Sequence, residues 1–218
     1  MATIDVTIKI LSPIHLGSGQ ADVNVDAEIV HDEFGLPYFP GKRFKGLLYE
    51  SAVEVVEMFE LSGLASEQSS LLEKIFHRHS ESDVQLIVPN FFIRPRAEYE
   101  LLCAEWKYLQ WEYSEIFTAT EVLNAFTSLR YQTRLENGIA ADGSLHNLRV
   151  LDDGLEFFGE VTLLNADEQI VNLLALAMKN LSAAGTKRNR GFGRIKCTAT
   201  FDGSPADKLA RKFLAKVV

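Results

Sequence analysis

Apolar and polar residues alternate over residues 3–11, with Ile4, Val6, Ile8 and Ile10 on one side and Thr3, Asp5, Thr7 and Lys9 on the other. A period of two is that of a strand with one face buried. Ser12 and Pro13 end it, a Gly17–Gln20 turn follows, and Val23, Val25, Ala27 and Ile29 alternate through Asp26 and Glu28 as a second predicted strand. Residues 32–35 turn the chain into a short strand over 36–39, stopped by Pro40 and Gly41. The period then changes. Phe44, Leu47, Leu48, Ala52, Val55 and Phe59 recur at three and four residues and predict a helix over about 42–60. A second helix is predicted over 66–79 on Leu72, Ile75 and Phe76, and a strand over 84–94, closed by Pro95. Helical spacing returns at Leu102, Trp106 and Leu109 within 99–111, and again over 121–129. A strand over 155–164 precedes a helix carrying Ile170, Leu173, Leu174, Ala177, Met178 and Leu181. The last strand alternates Phe192, Arg194, Lys196, Thr198 and Thr200 with Gly193, Ile195, Cys197, Ala199 and Phe201, and a short basic helix over 207–215 closes the chain.

The order strand, helix, strand, polar excursion, strand, helix, strand predicts an α+β chain with a ferredoxin-like, RRM-like βαββαβ core. It reads as one domain over residues 1–218, with the core in 1–60, 84–94 and 155–201, a helical insertion in 61–83 and 95–129, a polar insertion in 130–153 and a C-terminal helix in 204–216. An open sheet face with projecting loops suits single-stranded RNA. The polar insertion carries Arg134, His146, Arg149, Gly138 and Gly143, and a polar stretch of that length inside a compact domain is usually functional.

Composition narrows the reading. At 47% hydrophobic and 24% charged the chain is an ordinary globular one, and its formal net charge of −8 excludes polyanion binding over the whole surface. Any nucleic acid must meet a local basic patch. Cys103 and Cys197 are too few for a cysteine-rich metal cluster and read as inert, reduced thiols. His77 and His79 are two apart, on different sides of a helix, and do not suit a shared metal. The N-terminus has no secretory pattern and no stretch approaches a membrane span, so a cytoplasmic protein without a membrane partner is expected.

The local patch is easily found. Residues Gly185–Lys196 hold five basic side chains and three glycines in twelve positions: Lys187, Arg188, Arg190, Arg194 and Lys196, with Gly185, Gly191 and Gly193, and Phe192 between. Glycine lets backbone approach a bulky anion, while Lys and Arg supply charge and forked donors for phosphate oxygens. A glycine-stopped helix followed by a solvated turn would give the same sequence. Lys42, Arg43 and Lys45 crowd the first turn of the first predicted helix, where cations oppose the helix dipole and an anion would favour them.

Two distant stretches together resemble a known family. Residues Leu36–Gly46, LPYFPGKRFKG, resemble the "IPGSSLKG" motif of the RAMP superfamily, the repeat-associated proteins of CRISPR systems, and Gly185–Arg194 resembles its glycine-rich loop. Residues Ile14–Gln20 resemble the "hIGgG" turn after the first strand; residues 61–125 are the least alike. The motif has Lys42, Arg43 and Phe44 where two small serines are usual, and no His-plus-Cys zinc cluster is present in the middle.

The resemblance implies the following. Residues Val25–Pro37 match the segment in which backbone subunits of type III effector complexes carry a catalytic aspartate, and that position falls on Asp26. Such a subunit holds a guide RNA beside other RAMP and large subunits and cuts the paired target RNA in a step dependent on a divalent metal, Mg²⁺ being expected. The polar insertion falls where the family places a thumb-like hairpin. The RNA-binding set is then Lys42, Arg43, Lys45, Gly185, Lys187, Arg188, Arg190, Gly191, Phe192 and Arg194, with Arg134, His146 and Arg149 from the insertion. The chemistry suits one carboxylate: RNA carries its own nucleophile, the 2′-hydroxyl, so alignment and charge neutralisation matter most. A carboxylate can bind Mg²⁺ together with the phosphate or accept a proton. Asp26 also fits a solvent-facing position of an alternating strand. Two further readings are a non-catalytic subunit that binds or caps the guide, and a ribonuclease that processes guide precursors and needs His15 or His31. A nucleotide-phosphate loop is disfavoured because Gly-Lys-Ser/Thr does not follow the glycines.

Overall fold

The computed structural model describes residues 1–63, 68–76 and 83–217. The predicted pair His77 and His79 lies outside them. In chain order the elements are β1 (Ala2–Ile10), β2 (Tyr38–Phe39), α1 (Gly41–Ser62), α2 (Gln68–Phe76), β3 (Gln85–Ile87), β4 (Phe91–Phe92), α3 (Arg96–Glu112) and α4 (Ala119–Asn124). Then come β5 (Thr127–Gln132), β6 (Leu135–Glu136), β7 (Ile139–Ala140), β8 (His146–Leu151), β9 (Glu156–Leu164), α5 (Glu168–Asn180), β10 (Ile195–Phe201), β11 (Ser204–Pro205) and α6 (Ala206–Val217).

β1 alternates as its sequence demands: Ile4, Val6, Ile8 and Ile10 are buried. Burial of each such side chain contributes about 1.5–3 kcal/mol before the cost of ordering the chain. The strand lies between β10 and β9, with Ile4 opposite Phe201 and Val161. The main sheet runs β11-β10-β1-β9-β4-β2, with β3 also on β9, and every pairing is antiparallel. Taken with α1 and α5, this is the ferredoxin-like βαββαβ arrangement. The apolar stripe of α1 and the buried face of α5 pack on each other and share one core with the sheet, and Ser51 Oγ donates to the Ala177 carbonyl oxygen at 2.8 Å where the two helices touch. Helix α5 starts at a proper cap, Asp167 accepting from the Ile170 N–H at 2.8 Å.

Four predicted elements come out differently. No strand forms over 23–29. The chain reverses there, because Asp22 and Val25 exchange backbone hydrogen bonds and Asp22 Oδ1 accepts from the Val23 N–H. Val23 is therefore 95% exposed while Val25 is buried, and the alternation runs through a turn. The predicted strand 84–94 is split into β3 and β4 by Pro89, which has no N–H to give a ladder. That break has a use: Asn90 Oδ1 accepts the Gly41 N–H at 3.0 Å, at the start of α1. A Cβ on Gly41 would lie 2.3 Å from the Val88 carbonyl oxygen and 2.2 Å from that of Pro89, so only glycine lets the helix begin there. The helix predicted over 121–129 stops at Asn124, and Thr127 begins β5 instead. The last strand starts at Ile195, since residues 192–194 belong to the glycine-rich loop.

The polar insertion folds as a two-stranded ribbon. β5 pairs with β8 from Thr127 opposite Leu151 to Gln132 opposite His146, and β6 pairs with β7 toward the tip. Leu148, Val150 and Leu151 are buried at its base, whereas Leu135 and Ile139 at the tip are exposed. Both cysteines are free and half-buried, and burial pushes both thiols up, Cys197 to about 12.

Candidate nucleic-acid interface

The glycine-rich loop is closed at its neck by backbone bonds. Ala184 N–H donates to the Gly193 carbonyl at 2.8 Å and Ile195 N–H to that of Ser182 at 2.9 Å. Within the neck, Arg188–Arg190 make one 3-10 turn, entered through Lys187 and left through Gly191, both left-handed at φ 60° and 80°. Gly193 is left-handed as well, and a Cβ there would fall 2.0 Å from the Ala184 carbonyl oxygen. Thus the glycines are what let a basic loop fold so tightly.

The segment after β1 holds the loop. Gly193 N–H donates to the Pro13 carbonyl at 2.9 Å, Arg194 N–H to Ser12 Oγ at 3.0 Å, and Thr186 N–H to the His15 carbonyl at 3.3 Å. The same segment meets the other motifs. Arg43 Nη2 donates to the Gly17 carbonyl at 2.9 Å, and Ser18 N–H to the Glu28 carbonyl at 2.8 Å. On the ribbon side, Lys187 Nζ donates to Gln132 Oε1 on β5. Stretches far apart in sequence therefore converge at the end of the sheet where β1 finishes and β10 begins.

The basic residues differ in what is left for a ligand. Lys42, Arg190 and Arg194 are exposed, and among the described residues none of these side chains makes an ion pair. Arg188 is exposed but reaches Glu50 of α1 at 3.2 Å, and Arg134 pairs with Glu136 at 2.8 Å on the ribbon. Lys187 has its pKa lowered, first by desolvation and then by Arg190. Lys45 turns inward, donating to the Leu86 carbonyl at 3.0 Å, and desolvation lowers its pKa too. Phe192 is half-buried, Gly185 half-buried and Gly191 exposed. His146 is exposed, its Nδ1 3.0 Å from the Ser144 carbonyl oxygen.

Arg149 needs a correction. It is buried, its Nε 2.8 Å from Glu28, while Nη1 donates to Asn124 Oδ1 at 2.7 Å and Thr127 Oγ1 at 3.0 Å. Nε and Nη1 are taken up in the interior, so it forms a structural ion pair under the ribbon and is not presented outward for an RNA. Polar spacing alone cannot separate an arginine that faces out of a ribbon from one that faces in. His15 is buried as well, its Nδ1 2.7 Å from the Arg149 carbonyl oxygen, whereas His31 is exposed. On the open sheet face Asp5 stands directly opposite Glu160 and Lys9 opposite Lys196, so the charge there is mixed.

Asp26 is exposed on the loop that follows the Asp22–Val25 turn. Its N–H donates to Asn147 Oδ1 at 2.9 Å, and its Oδ2 accepts the Asn147 N–H at 2.8 Å. Among the described residues its Oδ1 takes no hydrogen bond, and no three His, Cys, Asp or Glu side chains gather as a metal site. The aspartate faces solvent beside the ribbon base. Asn147, Gln132, Ser12 and Glu50 escaped sequence reasoning. Each meets its partner across more than fifty residues of chain, and no local pattern marks them.

The chain thus combines a ferredoxin-like sheet and an inserted ribbon with a Pro-Gly helix start and a basic glycine-rich loop gathered at one end. The family model of the RAMP superfamily matches residues 7–196. This chain belongs to the RAMP superfamily. It is similar in structure to a chain of the type III-B Cmr-beta bound to cognate target RNA, with a TM-score of 0.62 and 13% identity over 95% of this chain and 98% of that one. A chain of type III-B Cmr-beta in the apo state matches with a TM-score of 0.62 and 12% identity, over 89% and 96%. At those identities the likeness is one of fold. No curated protein matches the chain. Among the described residues no helix is long and apolar enough to cross a membrane.

Proposed function

We propose that this chain is a guide-RNA-binding backbone subunit of a type III CRISPR effector complex, and that it cuts the paired target RNA at Asp26. The observation that carries the reading is convergence: the glycine-rich loop, the start of α1, the Asp26 loop and the ribbon are hydrogen-bonded to one another through residues 12–18 and β8. Exposed Lys42, Arg190 and Arg194 supply charge for the guide backbone, and other subunits complete the channel.

In the cutting step Asp26 holds a carboxylate oxygen toward solvent next to the ribbon that would part successive nucleotides. A hard divalent cation such as Mg²⁺ suits this donor, because it keeps several waters and takes one or two carboxylates plus phosphate oxygens. Asp26 would be the protein's ligand to it, and the cation would neutralise charge on the scissile phosphate. The protein's share is alignment: the guide fixed by the basic loop, the target strand laid across Asp26, and the 2′-hydroxyl brought in line with the phosphate.

The test is Asp26→Ala in the assembled complex. Target cutting is expected to vanish while guide binding persists. Unchanged cutting would leave a non-catalytic guide-binding subunit as the reading. For a guide-processing ribonuclease the burial of His15 leaves exposed His31 as the candidate, and the purified chain is expected to leave repeat RNA intact.

A further inference from the structure

We infer that Asn147 is the positioning residue for the Asp26 carboxylate, so that the carboxylate and the ribbon form one unit; this rests on Asp26 being the cutting residue. The pair is reciprocal. Asn147 accepts the Asp26 N–H on its side-chain oxygen at 2.9 Å and donates its own N–H to Asp26 Oδ2 at 2.8 Å. Its Nδ2 donates to the Asn24 carbonyl at 2.9 Å. Only this orientation of the amide satisfies both neighbours, since the reverse would set donor against donor and acceptor against acceptor. No smaller side chain supplies an acceptor and a donor at that separation.

Two features make this more than a loop bond. With Oδ2 held by a backbone N–H, the carboxylate cannot turn freely, and Oδ1 is presented outward. Asn147 also sits on β8, opposite Tyr131 of β5, so Asp26 is attached directly to the ribbon. A second tie lies two residues along: Arg149 N–H donates to the Ala27 carbonyl at 3.0 Å above the buried Glu28–Arg149 pair. Any displacement of the ribbon by target RNA would therefore carry Asp26 with it.

The experiment measures single-turnover cutting at saturating target in the guide-loaded complex for Asn147→Ala, Asn147→Asp and Asp26→Ala. Target affinity and hydrogen exchange at the Asp26 amide are followed alongside. Asn147→Ala keeps the backbone N–H on Oδ2 but releases the Asp26 amide and the Asn24 carbonyl that fix the loop, and is expected to slow cutting about 10- to 100-fold, with target affinity kept and Asp26 amide exchange accelerated. Asn147→Asp keeps the acceptor for the Asp26 N–H but loses the donor to the Asn24 carbonyl, so cutting is expected to slow with the Asp26 amide still protected. Should Asn147→Ala fold poorly, the cutting rate and amide exchange of Asn147→Asp decide. Wild-type rates in both Asn147 variants, with cutting abolished by Asp26→Ala, overturn the positioning role alone. Normal cutting by Asp26→Ala overturns the cutting role and this inference together.

Discussion

Gly191 and Gly193 lie two residues apart, both left-handed, yet they are not equivalent. A methyl group at Gly191 meets nothing within 4 Å, so Gly191→Ala is expected to cost only the left-handed penalty of about 1–2 kcal/mol. At Gly193 the same methyl lands 2.0 Å from the Ala184 carbonyl oxygen, and Ala184 N–H is bonded to the Gly193 carbonyl. Gly193→Ala must open the neck of the loop and should cost clearly more. Urea denaturation of the two variants compares them, and equal losses would show that the neck is not tight. The clustering of glycine with Lys and Arg is visible in the sequence; which glycine is irreplaceable is not, because the crowding comes from a carbonyl on the facing strand of the neck. Arg149 makes the same point from the other side. Its companions Arg134 and His146 are exposed, and nothing near it in sequence says that Glu28 and Asn124 enclose it.

Among the elements, the basic loop and the ribbon base give opposite expectations for loss of an arginine. If Arg190 and Arg194 touch phosphates, Arg190→Ala and Arg194→Ala should each flatten the salt dependence of guide binding by roughly 0.7–0.9 per contact removed. Arg149→Ala should leave that slope alone and destabilise the fold by about 3–5 kcal/mol, because it strands the buried Glu28 carboxylate. A filter-binding salt series beside thermal unfolding separates the two classes, and a changed slope in Arg149→Ala would contradict its burial. Elements with a strong period, β1, α1 and α5, were legible because one face of each is packed throughout. The strand expected over 23–29 was not, since a turn stabilised by Asp22 reads as alternation when only apolar spacing is considered. The break at Pro89 is lost when 84–94 is read by apolar spacing alone, and the cap that Asn90 gives α1 is a contact across 49 residues.

For the molecule as a whole, topology turns an acidic chain into one with a usable cationic end. The net charge is −8, and the sheet face places Asp5 against Glu160, yet β1, β10 and α1 bring exposed Lys42, Arg190 and Arg194 to the end where the ribbon leaves. The order of elements was readable from periodicity, and with it the ferredoxin-like core; how the insertion attaches was not, because Asn147 and Gln132 meet their partners across long loops. The ribbon gives the sharpest test of this division of labour. Beyond Gln132 and before His146 its residues are largely exposed, and β6 pairs only with β7, so this tip adds almost nothing to the core. Replacing residues 133–145 by a two-residue turn should change unfolding free energy by no more than about 0.5 kcal/mol, as for other exposed segments. Guide binding through the glycine-rich loop should persist, and Asp26 should keep its bonds to Asn147. If the chain cuts at Asp26 as proposed, target cutting should fall, because the ribbon tip would no longer part the strand there. Cutting at the original rate in such a complex would mean that the tip plays no part in presenting the target, while loss of folding would mean that the ribbon belongs to the core after all.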